Sequence, residues 1–361
     1  LFFDDDGRAY VFYGTGEMKE LNPDLSGVKE GGLAGRVFER DSTETGLLEG
    51  SRFIKHNGKY YLIMISWPRG GARRQVCYRA DNIMGPYEKK VILLSEFGGF
   101  PDAGQGTIVD DGKGNWYGVM FQDRGGCGRI LTLMPCTWKD GWPTILEPNK
   151  AISPVGEKAG LKPTENNYFS GNFTYEDHFD KATLDSRWMR LRNSEGFWKT
   201  GDGHLTLTLM PGNIYQREPL SAVWARQQHG TFTAETTLDF TPRNDKDIAG
   251  IALLQKEDHN IVFGKTLVGG KTMITLTRSE RFTMPIASAY IGNGTLKLKV
   301  EAHDRYYDFF YAEGNGEWMI LARGVDGSNL STQKSGGFIG ACIGLYASSD
   351  KDMKPKAKRP F

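Results

Sequence analysis

Asn57-Gly58-Lys59-Tyr60-Tyr61-Leu62-Ile63-Met64 reads as a tight turn running into a strand. Glycine supplies the positive φ that a short hairpin turn requires, and the aromatic and β-branched residues after it suit a pleated, buried surface. The same reading applies to Asp6-Gly7-Arg8-Ala9-Tyr10-Val11-Phe12-Tyr13 and to Lys113-Gly114-Asn115-Trp116-Tyr117-Gly118-Val119-Met120. Gly7, Gly58 and Gly114 are separated by 51 and then 56 residues. A period near 50 made of strands and turns marks propeller blades, small four-stranded sheets that bury their faces only by stacking around an axis. Three repeats do not close a ring, since propellers have roughly four to eight blades. The chain also opens on Leu1-Phe2-Phe3, an apolar run without initiator Met or basic leader, as if entered in mid-strand. Blades preceding Leu1 are therefore expected.

The repeat stops near residue 148. Residues 149–170 are polar, with prolines and glycines and no apolar period, and read as a linker. Residues 171–361 form a second all-β section. His204-Leu205-Thr206-Leu207-Thr208-Leu209 and Thr295-Leu296-Lys297-Leu298-Lys299-Val300 alternate strictly, and 231–238 and 273–277 do so less perfectly. Ile251 to Leu254 and Gly337 to Tyr346 read as fully buried strands, and 182–192 as a short helix. Many short strands between turn signals predict a β-sandwich. The expectation is thus an all-β chain: three propeller blades over 1–148, a linker, then a sandwich over 171–361, with a solvated basic tail from Lys351 to Lys358.

Composition narrows the function. The 361 residues carry 45 Lys+Arg against 44 Asp+Glu, and the signs alternate along the chain, which is not the basic footprint of a nucleic-acid binder. No apolar run approaches a membrane span. Cys77, Cys127, Cys136 and Cys342 lack metal or disulfide spacing and read as buried free thiols. The sharp motifs of P-loops, serine hydrolases, zinc proteases and dinucleotide binders are missing. His56, the sole histidine before residue 178, reads as an exposed turn residue. Asp4-Asp5-Asp6-Gly7 is explained by a hairpin turn without a metal.

Carboxylates, arginines and aromatics remain. Glu49, among Leu47, Leu48 and Phe53, is either a partly desolvated carboxyl whose raised pKa suits a general acid, or an edge glutamate paired with Arg52. Trp67, in Ser66-Trp67-Pro68-Arg69-Gly70-Gly71, is either an exposed ring for stacking a sugar or a packing residue. Gln122-Asp123-Arg124-Gly125-Gly126-Cys127-Gly128-Arg129 carries two arginines on a glycine-rich loop. One of them could bond sugar hydroxyls; an ordinary surface ion pair with Asp123 is the competing account.

The order of these segments resembles glycoside hydrolase family 43, the β-xylosidase and α-L-arabinofuranosidase family. The resemblance rests on Leu1 to Tyr10, Leu48-Glu49-Gly50 with Asn57 to Leu62, and Gly85-Pro86-Tyr87-Glu88. It continues through Gly104-Gln105-Gly106-Thr107-Ile108-Val109, Asn115 to Arg124 and Asp140-Gly141-Trp142-Pro143. Asp177-His178-Phe179-Asp180 with Leu184 and Trp188, Ala249 to Gln255 and Gly337 to Ala347 are similar to that family's C-terminal sandwich. The motifs are loose singly, and the collinear set is specific.

The resemblance implies a five-bladed propeller, of which the last three blades are here, followed by a concanavalin-like β-sandwich. It implies an exo-acting, inverting hydrolase that removes arabinofuranosyl or xylosyl residues from plant cell-wall polysaccharides or oligosaccharides. One carboxylate activates water and an acid about 6.5–9.5 Å away protonates the leaving oxygen. Carried over, Glu49 becomes the general acid and Arg124 the sugar-contacting arginine, with Arg129 as the fallback; Gln105 and Trp67 join the substrate site. The base and tuning aspartates would precede Leu1, so this chain by itself is expected to be nearly inactive. No cofactor is required. Gln105 stands where many members have the histidine at the propeller centre, which leaves a structural calcium open; Ser51 stands where they have a proline, a subfamily trait. The implied partner is a carbohydrate, with neither nucleic acid nor membrane span, and the implied location is periplasmic or secreted in a bacterium. A non-catalytic carbohydrate-binding protein using the sandwich or propeller face is the alternative, and a purely structural sandwich a third. Trp188, Trp198, Trp224 and Trp318 are scattered, which favours packing over a sugar-binding row.

Overall fold

The structure is a computed structural model describing residues 1–94, 104–145, 172–192 and 195–352. It divides into two compact units. The first comprises 1–94, 104–123 and 129–145; the second comprises 124–128, 172–192 and 195–352. The expected linker at 149–170 lies outside the described residues.

The first unit contains three antiparallel four-stranded sheets, each in chain order. They are β1 (Phe2–Phe3), β2 (Ala9–Tyr13), β3 (Glu17–Glu20) and β4 (Ala34–Arg36); β5 (Leu47–His56), β6 (Lys59–Trp67), β7 (Arg74–Ala80) and β8 (Glu88–Leu94); and β9 (Gly106–Asp110), β10 (Trp116–Asp123), β11 (Arg129–Lys139) and β12 (Trp142–Ile145). The three repeated turn motifs are the connections between the first and second strands of each sheet, so the repeat does mark blades. Strand β6 shows why its sequence is apolar without alternation. Leu62 and Met64 pack with Tyr10, Phe12 and Met18 of the first sheet. Tyr61 and Ile63 pack with Ile108, Met120 and Met134 of the third. A strand buried on both faces has no polar side to write into its sequence.

The connection into β5 carries a buried charge cluster. Glu44 pairs with Arg74 at 2.8 Å and Lys89 at 2.8 Å and accepts from the Ser66 hydroxyl; Lys89 also meets Asp41. Burial alone would raise the Glu44 pKa, but hydrogen bonds from Lys89 and Ser66 and the charges of Lys89 and Arg74 hold it below its ordinary 4.5. A carboxyl depressed in the folded state contributes stability above its unfolded pKa and loses it as pH falls through the folded value. Glu44→Gln should therefore lower the unfolding midpoint near neutral pH and flatten its decline below about pH 4.5. A decline as steep as wild type's would remove Glu44 from this role.

The second unit is a sandwich. Its strands are β13 (Trp198–Gly201), β14 (His204–Leu207), β15 (Ser221–Arg226), β16 (Thr231–Leu238), β17 (Ile248–Lys256), β18 (His259–Val268), β19 (Lys271–Glu280), β20 (Phe282–Tyr290), β21 (Leu296–His303), β22 (Tyr306–Glu313), β23 (Met319–Asp326) and β24 (Cys342–Ser348). A six-stranded sheet ordered β15-β24-β17-β18-β19-β20 faces a four-stranded sheet ordered β16-β21-β22-β23. Leu296, Leu298 and Val300 of β21 point inward against Ile251, Leu253, Phe263 and Leu276, as their alternation predicts. The far side of the six-stranded sheet is also covered. Ala252, Leu254, Trp224 and Tyr346 meet Ile214 and Leu220 there, so β17 too is apolar on both faces from Ile248 to Leu254.

Several expectations change. Residues 182–192 form no helix; among the described residues the one α-helix is Thr332–Ser335. Asp185 turns the chain by accepting from the Arg187 and Trp188 amides, and Met189 exchanges backbone hydrogen bonds with Trp224 at 2.8 and 2.9 Å. Pairing to the sheet edge thus wins over a weak helical pattern. Residues 337–341 are not a buried strand: Phe338 is 72% exposed, and the Ala341 amide donates to Gly126 O rather than to a neighbouring strand. Gly340 lies so close to the Cys127 carbonyl that a Cβ would sit 2.5 Å from its oxygen. Trp224 lies within β15, fully buried, rather than at a strand end. His56 is stacked on Trp138 at 4.0 Å and edge-on to Trp116, half-buried rather than exposed. Lys351 is anchored to Thr266 and Leu267 rather than solvated, and the tail beyond 352 lies outside the described residues. All four cysteines are free, with Cys77 and Cys136 buried.

Candidate functional site

Glu49 stands at a β-bulge. It lies opposite Ile65, whereas Arg52 lies opposite Ile63, so Gly50 and Ser51 together face Met64. An extra residue of this kind bends the strand and re-aims its side chains. The bulge needs glycine twice over: Gly50 has φ +73°, and the Gln105 side chain fills the space a Cβ would take. Gln105 is thereby brought directly against the residue that follows Glu49.

The alternation of β5 corrects one expectation. Leu48 is buried, while Leu47 and Glu49 share the opposite, exposed face, and Phe53 turns into the core between the first two sheets. The carboxyl is therefore not desolvated by these side chains. The surface alternative is not realised either, because no Glu49–Arg52 ion pair occurs among the described residues.

The charge of Glu49 acts on a residue of another sheet. Arg129, the first residue of β11, pairs across the strands with Asp123, the last of β10. Its guanidinium lies 4.2 Å over the Phe121 ring, and its Nε is 3.7 Å from Asp123 Oδ1. Burial lowers the Arg129 pKa from its ordinary value, the attraction of Asp123 opposes that, Arg73 lowers it further, and Glu49 again raises it. Arg129 and Glu49 thus belong to one electrostatic group. Arg124 falls in the connection Arg124–Gly128, which belongs with the second unit. Asp123 is no surface partner: with 7% of its surface exposed, it forms a buried pair with Arg73, Nη2 to Oδ2 at 2.9 Å.

Arg73 is absent from the sequence-based site. A signal was present in the parity of β7: Gln75 and Cys77 face the third sheet, and stepping back by two places Arg73 on that buried side. Its guanidinium lies 5.3 Å from the Trp67 ring and 5.4 Å from Phe121. Trp67 is 47% exposed, with its indole N–H donating to Gly71 O at 3.0 Å. It combines both readings, a ring pinned at its edge and backed by a cation, with nearly half its surface open to a ligand.

A calcium ion beside Gln105 would need several oxygen donors. Among the described residues, what packs there is Gly50 of the bulge and, at the neighbouring Gly104, the Arg73 guanidinium, whose Nη1 would be 2.9 Å from an added Cβ. A cation among amide groups is a poor donor set for a hard dication, so no step is assigned to a metal. Asp4, in the acidic turn, is buried and bonded to Lys55 and Tyr60. Among the described residues Glu301, His303 and Asp308 bring possible ligand atoms within 4.8 Å of one another, but Lys299 already engages Glu301 at 2.9 Å.

Residues 1–143 match the family model for glycosyl hydrolases family 43, and residues 176–358 match that for the beta xylosidase C-terminal concanavalin A-like domain. A xylosidase/arabinosidase of Butyrivibrio fibrisolvens is 28% identical over 379 residues, spanning 97% of this chain and 72% of that protein. The crystal structure of a family 43 protein from Bacillus licheniformis aligns with a TM-score of 0.78 at 22% identity, over 98% of this chain and 71% of the other, a likeness of fold. A crystal structure of a GH43_12 protein from a capybara gut metagenome aligns with a TM-score of 0.73 at 28% identity, over 96% of this chain and 71% of the other.

Proposed function

Because this chain belongs to glycosyl hydrolase family 43 and is a glycosidase, we propose that it removes xylosyl or arabinofuranosyl units from xylan- or arabinan-type plant polysaccharides, with inversion. The name of the Butyrivibrio relative, xylosidase/arabinosidase, supports that substrate class. Glu49 is the general acid that protonates the departing oxygen. Arg129 is the sugar-contacting arginine, and Trp67 offers its exposed ring to the apolar face of a sugar. The observation that carries this reading is the place of Glu49 on the exposed face of β5, its charge acting on Arg129 of the third sheet, which Asp123 links to Arg73. Glu49 lies on the exposed face of β5, where a leaving group can reach it. In the second unit Trp224 is in the core and Trp188 donates its indole N–H to Asp177.

The test uses protein expressed from the complete gene, with nitrophenyl xylosides and arabinofuranosides as substrates. Release of free sugar is expected, and proton NMR of the first product should show the anomer opposite to that of the substrate. Product of unchanged anomeric configuration would refute inversion. Tight sugar binding with no release would instead favour a carbohydrate-binding protein.

A further inference from the structure

Asp123 pairs with both Arg73 and Arg129. Arg73 makes the closer contact and is the more deeply buried of the two. One carboxylate therefore presents Oδ2 to Arg73 and Oδ1 to Arg129. The Phe121 ring lies near both guanidinium groups. A planar guanidinium can hold a carboxylate in a fixed orientation in a way the point charge of lysine cannot. The same plane lies near the indole of Trp67. The buried Arg73 Nε–H finds no acceptor among the described residues, while Nη2 donates to Asp123 Oδ2 at 2.9 Å.

We infer that Arg73 is a positioning residue for the sugar subsite: through Asp123 it sets the orientation of Arg129, and through its cationic face it sets the ring of Trp67. It need not touch the sugar. The inference rests on the reading of Arg129 and Trp67 as sugar contacts. It adds that these two contacts, from different strands, share one buried anchor.

The experiment compares wild type, Arg73→Lys, Arg129→Lys and the double variant, each expressed from the complete gene. Loss of an interaction made equally in ground and transition states raises KM and spares kcat, so each single variant should raise KM by about tenfold with kcat changed less than about threefold. Groups that act as one unit are not additive, so the double variant should be no worse than the poorer single one by more than about threefold. Asp123→Glu, which keeps the charge and moves the carboxylate, should give the same KM signature and serves if Arg73→Lys fails to fold. Direct titration with xylose and arabinose, followed by tryptophan fluorescence, should show the same loss of affinity. An unchanged KM and sugar affinity in Arg73→Lys, or KM effects that multiply, overturn the inference. A wild type that binds sugar without turnover defeats the glycosidase reading alone, and the titration then decides the role of Arg73.

Discussion

In protein expressed from the complete gene, Glu49→Gln is expected to reduce kcat on xylan- or arabinan-derived oligosaccharides by about 10²–10⁴-fold, the usual contribution of a positioned general acid. The amide cannot release a proton to the departing oxygen, yet it keeps the size of the carboxyl, so KM should change little. The loss should shrink on nitrophenyl glycosides, whose leaving group departs without needing protonation. That contrast separates a proton donor from a residue that only shapes the pocket. Equal losses on both substrate classes would assign Glu49 to binding, and unchanged turnover would remove it from the mechanism. The exposure of Glu49 on β5 makes the substitution mild for folding, so the melting temperature should stay close to wild type.

The largest effect on stability is expected at Asp123. Its side chain and that of Arg73 are each only 9% exposed. Removing one member of such a pair leaves the other charge buried without compensation, which costs about 3–5 kcal/mol. Asp123→Ala should lower the free energy of unfolding of the first unit by that order, measured by urea denaturation. Arg73→Ala in the same background should recover part of the loss, because the stranded charge is then gone. A cost below about 1 kcal/mol for Asp123→Ala is what a solvent-exposed pair would give and would contradict the buried arrangement.

Both predictions begin from residues that were legible to different degrees. Glu49 was visible in the sequence as a carboxyl beside Leu47, Leu48 and Phe53, and the resemblance of Leu48-Glu49-Gly50 to the family's motif gave it the role of general acid. Its chemical setting was not, since the expected apolar neighbours Leu48 and Phe53 point away from it. Between the two arginines, spacing could not choose, because a glycine-rich loop hides which residue resumes the strand. The pairing of Asp123 with Arg129 across β10 and β11 shows that Arg129 resumes it. Arg73 was obscured by its neighbours Arg69 and Arg74, in a stretch whose charge suggests solvent.

What the sequence by itself determined was periodic. Turn glycines at near-equal intervals specify three repeated sheets, and strict alternation in β21 specifies a sheet with one face inward, because both depend on local backbone preference and on a period of two. What only the tertiary structure decided was which side chains meet across sheets. The Arg73–Asp123–Arg129 group joins Arg73 to residues 50 and 56 positions further along the chain, and its members are chosen by the burial of opposite charges where two sheets face each other. The stretch Tyr60 to Met64 shows both limits. Its apolar run announces a buried strand, yet only the packed sheets reveal that alternate residues serve two different cores.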